Sequence, residues 1–216
     1  MVDAMTVAVA GAGLAAVVTG LYAFLGGLRK VEVVRSRTPF TKTRVVYKLF
    51  FGSYSNLSEW FKEVFDLLDN ESKCPTIGIY YDDPGQLKRD YGSDKDARAL
   101  LGISIDDIPA EKREEVKRRF EAKGYKEREI MGGEAAEADF RLRGGLLTIP
   151  SILVYASKVY PKLEEFRQKN NLPPSGALEY SVGYKLRVFT PFDKAVADDW
   201  FLPEIVEKEP AKLYGR

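Results

Sequence analysis

Thr76-Ile-Gly-Ile-Tyr-Tyr-Asp-Asp-Pro-Gly85 sets the architecture. Thr76–Tyr81 is short, largely apolar and rich in β-formers, and Asp82-Asp83-Pro84-Gly85 closes it with a strong turn signal. A run this short, bounded so sharply, reads as a buried strand. On its N-terminal side, Arg44–Phe51 alternates, with Val45, Tyr47, Leu49 and Phe51 on one face, which predicts a strand. Gly52-Ser53-Tyr54-Ser55 is a turn, and Asn56 stands three residues before Glu59, the spacing of a capping box. Leu57, Trp60, Phe61, Val64, Leu67 and Leu68 then follow at helical spacing. On the C-terminal side Ala97–Ile105 reads as another strand, although Ala99, Leu100 and Leu101 would also suit a helix.

The same order recurs later in the chain. Ala138–Leu147 reads as a strand, with Gly144 and Gly145 marking a bulge or a close approach. Pro150 falls in the first turn of a helix running to about Lys169, with a stripe of Ile152, Ala156, Val159, Leu163 and Phe166. Ala177–Val182 and Tyr184–Phe189 form two strands around Gly183. Between the copies, Asp107–Lys123 is a charged helix stopped by Gly124, and Tyr125–Ile130 adds a strand. The tail from Asp193 carries Trp200 and Phe201 and is expected to pack back on the domain. The chain is thus expected to be an α+β fold of tandem strand–helix–strand–strand modules, at 44–105 and 138–192, with a groove between them for a ligand.

The 216 residues suit one sizeable domain. With 33 basic and 32 acidic residues the net charge is +1, which gives no electrostatic footprint for nucleic acid. The absence of histidine removes the Ser-His-Asp triad, the Cys-His dyad and His-bearing zinc sites. A single cysteine, Cys74, forms no intramolecular disulfide or Cys-x-x-Cys site and reads as an inert thiol. No metal or cofactor is expected, and acid–base chemistry falls to Asp, Glu, Lys or Tyr.

Thr6–Leu28 runs 23 residues without a charged side chain, where about 20 span a bilayer. No Lys or Arg precedes it, whereas Arg29, Lys30, Arg35, Arg37, Lys42 and Arg44 follow. The positive-inside rule then puts the N-terminus outside or in a lumen and everything after Leu28 in the cytosol. The expected organisation is a lumenal end and transmembrane helix over 1–28, a basic juxtamembrane linker over 29–43, a cytosolic domain over 44–205 and a short tail over 206–216.

The Thr76–Pro84 signature, the strand Gly176-Ala-Leu-Glu-Tyr180 and the doubled module order together resemble gyrase-inhibitor-like domains. The anchor, Val45-Val-Tyr-Lys48, Tyr80–Pro84 and Phe201-Leu-Pro-Glu204 are similar to the ER-phagy receptor branch of that family. The resemblance implies an endoplasmic-reticulum membrane protein acting as adaptor or receptor. Its implied partners are the valosin-containing ATPase and ubiquitin-like autophagy proteins. Aromatic-x-x-aliphatic matches for the latter, at Tyr54–Leu57, Phe61–Val64, Phe65–Leu68 and Tyr160–Leu163, fall in segments expected to be packed. The family also implies two pocket chemistries, binding of lipophilic cations and hydrolysis of electrophilic cyclopropane rings.

Both chemistries point to Glu179. Alternation puts it on one strand face with Ala177 and Ser181; a groove on that face would desolvate the carboxylate and raise its pKa. That suits a general acid or base, and a carboxylate among aromatic rings also suits a cation. In the family the matching glutamate is the pocket anion, so Glu179 is the catalytic candidate. Tyr47, Tyr80, Tyr81, Tyr155 and Trp200 join it as ligand-binding candidates.

Overall fold

The expected strand at Thr76 is β3 (Thr76–Tyr80), and what closes it is a helix start as well as a turn. The computed structural model describes residues 15–68, 74–172 and 176–202. Asp83 caps a helix missed in the sequence, α2 (Pro84–Tyr91), its carboxylate accepting from the Gly85 and Gln86 amides, with Pro84 in the first turn. Asp82 turns inward. Its two oxygens accept from Nε and Nη2 of Arg98 at 2.9 and 2.8 Å, and its Oδ2 also accepts from the Arg98 amide. Both side chains are 2–3% exposed, so a buried ion pair clamps the end of β3 to the start of β4 (Arg98–Ser104).

The remaining elements follow in chain order. β1 (Val33–Arg37) and β2 (Lys42–Phe51) precede α1 (Leu57–Leu68). After β4 come α3 (Ala110–Glu121), β5 (Lys126–Met131), β6 (Glu134–Arg141) and α4 (Thr148–Lys169). The last are β7 (Ala177–Val182), β8 (Lys185–Pro191) and α5 (Lys194–Trp200). Asn56 is not a cap but part of a short 3-10 turn, Tyr54–Asn56, that leads into α1 and is itself capped by Ser53.

The eight strands form one antiparallel sheet in the order β1-β6-β8-β7-β3-β4-β2-β5. The order is symmetric about the β7–β3 seam. Each module contributes β2-α1-β3-β4 or β6-α4-β7-β8, and β5 and β1 close the two outer edges. Both module helices lie on the same sheet face. Val64 and Leu68 of α1 pack with Val46, Ile103 and, from α3, Val116 and Phe120. Val154, Tyr155, Val159 and Leu163 of α4 pack with Ala136, Ala138, Phe140, Leu186 and Val188. Ile152, expected in that stripe, is instead exposed. The other sheet face is covered by Val196 and Trp200 of α5, Leu202 and Phe40.

The transmembrane expectation is corrected. Residues 1–14 lie outside the described residues. Residues 15–24 are helical, and among the described residues no helix is long and apolar enough to cross a membrane. The apolar run is interrupted because its C-terminal end docks on the domain. Leu25 is 5% exposed within the α4 core, and Gly26 turns in the left-handed region (φ +92°) against the Phe140 ring. Arg143 donates to the Phe24 carbonyl at 3.0 Å and stacks on its ring, while Lys158 donates to the carbonyls of Gly27 and Arg29. The segment expected as a juxtamembrane linker contains β1. The single-pass anchor, the lumenal N-terminus, the reticulum location and the adaptor or receptor role fall with the span. The ATPase and autophagy partners go with that role. Each aromatic-x-x-aliphatic match also has its aliphatic member buried: Leu57, Val64, Leu68 and Leu163.

Removing one partner of a buried ion pair leaves an uncompensated charge, which costs about 3–5 kcal/mol. Asp82→Ala is therefore expected to lower the unfolding free energy by about that amount, read from urea titration, with Asp83→Ala costing only the ~1 kcal/mol of a lost helix cap. Equal losses in the two variants would refute the clamp.

Candidate functional site

Register decides which residues meet at the seam. Gly78 of β3 pairs with Glu179 of β7, and Tyr80 pairs with Ala177. These residues point to the helix face, whereas Ile77, Ile79 and Leu178 point to the opposite core. α1 packs on Val46 of β2 and Ile103 of β4, and α4 packs on β6 and β8, so the seam strands lie between the two helices. Glu179 stands on that seam, half-buried.

Two α4 hydroxyls reach its carboxylate. Tyr155 donates to Oε1 at 2.7 Å and Tyr160 donates to the same oxygen at 2.5 Å. The Tyr80 hydroxyl lies near enough to Glu179 to act on its ionisation. Gly78 makes room for it: a Cβ there would lie 2.8 Å from the Tyr80 ring, so the ring lies back over the glycine toward Glu179. Tyr54 holds the far side of that ring edge-on, with centroids 5.2 Å apart, and donates its own hydroxyl to the Arg98 carbonyl at 2.6 Å. The buried Asp82–Arg98 clamp therefore orients Tyr80 through Tyr54.

The walls are apolar. On the α1 side stand Tyr54, Trp60 and Phe61. On α4, Ile149, Leu153, Ala156 and Tyr160 recur at i, i+4, i+7 and i+11, so the first three share a helix face with the tyrosine that bonds Glu179. Ile149 and Leu153 are exposed.

Burial pushes the Glu179 carboxyl above the usual range, and the hydroxyls of Tyr160, Tyr155 and Tyr80 pull it back only in part. Burial, then the Glu179 charge, raises the three tyrosines well above the ordinary phenol value, so they remain protonated donors.

Of the residues singled out in the sequence, Glu179, Tyr80 and Tyr155 come together here. Tyr47, Tyr81 and Trp200 sit in the opposite-face core, where the Tyr81 hydroxyl donates to the Trp200 carbonyl at 2.7 Å and the Trp200 indole donates to the Met131 carbonyl at 2.8 Å. Tyr160, Tyr54 and Gly78 were not singled out as site residues. No local spacing marked Tyr160, because five residues after Tyr155 it does not share that residue's helix face. For Gly78 the signal was a glycine inside a strand, which marks close approach.

The chain matches no protein-family model and no curated protein. Among solved structures it is similar to EcmrR in a cryo-EM structure of the EcmrR–DNA complex, at 12% identity and a TM-score of 0.46, over 82% of this chain and 64% of that one. It is also similar to the EcmrR C-terminal domain, at 13% identity and a TM-score of 0.43, over 76% and 98% of the two chains. A third similarity is to a hydrolase from Listeria innocua, at 12% identity and a TM-score of 0.41, over 76% and 92%. The chain spans less than two thirds of EcmrR in the complex, and no TM-score here reaches 0.5, so these likenesses add nothing to the site. The gyrase-inhibitor-like expectation is met at the level of an α+β fold of doubled modules. None of these similarities reaches the ER-phagy receptor branch.

A carboxyl whose pKa is raised on folding contributes stability that is complete below its unfolded pKa and is lost as pH rises through the folded value. Glu179→Gln cannot ionise and keeps a carbonyl acceptor. Its thermal midpoint is thus expected to gain on the wild type between pH 4 and pH 7. A constant difference across that range would show that burial does not set the ionisation of Glu179.

Proposed function

We propose that the chain binds a lipophilic small organic molecule carrying a cationic or electrophilic centre, in the groove between α1 and α4, with Glu179 as its polar contact. The observation that carries this reading is the half-buried carboxylate ringed by three tyrosines on the groove floor. An apolar groove with one oriented charge selects a ligand of the opposite kind at one end and lipophilic along its length. Tyrosine faces add cation–π attraction. The doubled module order and the Gly176–Tyr180 strand support a gyrase-inhibitor-like domain, in which this glutamate is the pocket anion.

A second reading is hydrolysis of an electrophilic small molecule, favoured by the direct bond between Tyr160 and Glu179. Glu179 takes a proton from water as the water oxygen bonds to the electrophilic carbon. The breaking bond's electron pair receives a proton from Tyr160. The proton on Glu179 then passes along the hydrogen bond to the tyrosinate, restoring both groups.

Titration calorimetry of the full chain with tetraphenylphosphonium is expected to give binding that Glu179→Gln weakens at least about tenfold, the ~1.4 kcal/mol of one lost charge contact. Tyr180→Phe, on the opposite sheet face, leaves it unchanged. Binding equal in wild type and Glu179→Gln would overturn the groove assignment. Turnover of a cyclopropane-bearing alkylator by the wild type, absent in Glu179→Gln, selects the hydrolytic reading; no turnover by either removes it.

A further inference from the structure

The opposite sheet face holds an arrangement that the groove does not explain. Arg141 of β6 lies directly across the ladder from Lys185 of β8. Like charges placed opposite each other in an antiparallel pair destabilise it. Elsewhere the face is neutralised locally. Arg187 forks onto Glu137 with bonds of 2.5 and 3.0 Å, and Arg29 reaches Asp139 at 3.3 Å. Arg141 and Lys185 form no such ion pair among the described residues.

The two cations, with Arg29, line a cleft of about 410 Å³ whose remaining walls are Asp139, Val182 and Tyr184. The chain has built the apolar wall deliberately. Gly183, at φ +59°, makes the two-residue connection between β7 and β8, which brings Tyr184 to the cleft. A Cβ on Gly144 would lie 2.4 Å from the Tyr184 ring, so that glycine gives the ring its seat. The Tyr184 carbonyl accepts from the Leu142 amide at 2.8 Å, fixing the turn beside Arg141.

We infer that this cleft binds a small phosphate monoester, its dianion between Arg141, Lys185 and Arg29 and its organic group against Tyr184 and Val182. A dianion converts the repulsion between Arg141 and Lys185 into attraction to a shared partner. Arginine and lysine are the side chains that bind phosphate through charge-assisted hydrogen bonds. The single facing carboxylate, Asp139, is engaged by Arg29 and leaves the cleft with a net positive charge. The cleft has the size of a small-molecule site. It lies on the far face of the sheet from Glu179, so the inference does not depend on the function proposed for the groove.

The test is titration of the full chain with phenyl phosphate, followed by heteronuclear NMR at constant ionic strength, with chloride as the control anion. Saturable shifts are expected at Lys185, Arg141 and Tyr184, and these persist in Glu179→Gln. Arg141→Ala and Lys185→Ala are each expected to weaken binding at least about tenfold, the scale of one charge-assisted contact. Neither substitution is expected to lower the thermal midpoint of the free protein, because each relieves a like-charge pair. Shifts reproduced by chloride, or affinity unchanged in both variants, would overturn the site. So would a lowered midpoint in both, since it would mark the pair as structural.

Discussion

The two modules meet at one antiparallel pairing, β3 with β7, and everything else in the molecule depends on its register. The side-chain period of a strand is two, so a slip of one residue would carry Glu179 through the sheet into the apolar core and bring Leu178 into the groove. The opposite face prevents this. Ile77, Ile79 and Leu178 are at most 1% exposed there, and a shifted register would exchange them for a carboxylate. The Asp82–Arg98 pair adds a polar lock at the end of β3. Burying that pair contributes little net stability, but its partners cannot be satisfied in any other alignment. The register is thus held by burial on one face so that chemistry can be displayed on the other.

The same competition sets the state of the carboxylate. The tyrosine hydroxyls favour the ionised carboxylate, whereas burial of an ion costs several kcal/mol. The upward direction of the Glu179 pKa says that burial wins. A cation entering the groove would favour the ionised form, and a departing proton would be received by water rather than by histidine, which this chain lacks. Tyrosine as the donor keeps the site responsive without adding a second charge.

The modules were legible because each element announced itself locally. Alternation gave β2 and β7, helical spacing gave α1 and α4, and a glycine-marked break gave the β7–β8 hairpin. What local pattern did not reveal was which strand face each module helix covers. That is a tertiary fact, and it decides that Tyr80 joins Glu179 while Tyr81, its neighbour, lies in the other core. Tyr47 and Trp200 were candidates for the same reason, since an aromatic residue in a strand or a tail carries no mark of its side. The helix α2 was hidden by its own start signal, because Asp-Asp-Pro-Gly serves turns and helix N-termini alike. The N-terminal run misled in a different way. Composition alone does not show that Leu25 belongs to the core of the domain, or that Gly26 and Gly27 turn the chain against Phe140 and under Lys158.

The pseudo-symmetry of the sheet explains why chemistry is concentrated where it is. Related positions in the two modules began with the same environment, a seam strand between two helices, yet β3 offers Gly78 where β7 offers Glu179. One half supplies space and the other supplies charge. Had both halves carried a carboxylate, two like charges would face each other across one rung and neither would ionise freely. Had both carried glycine, the groove would be apolar throughout and would bind without orientation. The asymmetry extends to the walls: the α4 side gives hydroxyl donors to Glu179, whereas the α1 side gives Tyr54, whose hydroxyl is already committed to the Arg98 carbonyl, and the ring systems of Trp60 and Phe61. A ligand in this groove therefore meets polarity from one module and lipophilic surface from the other, and that division fixes the direction in which an amphiphilic molecule lies.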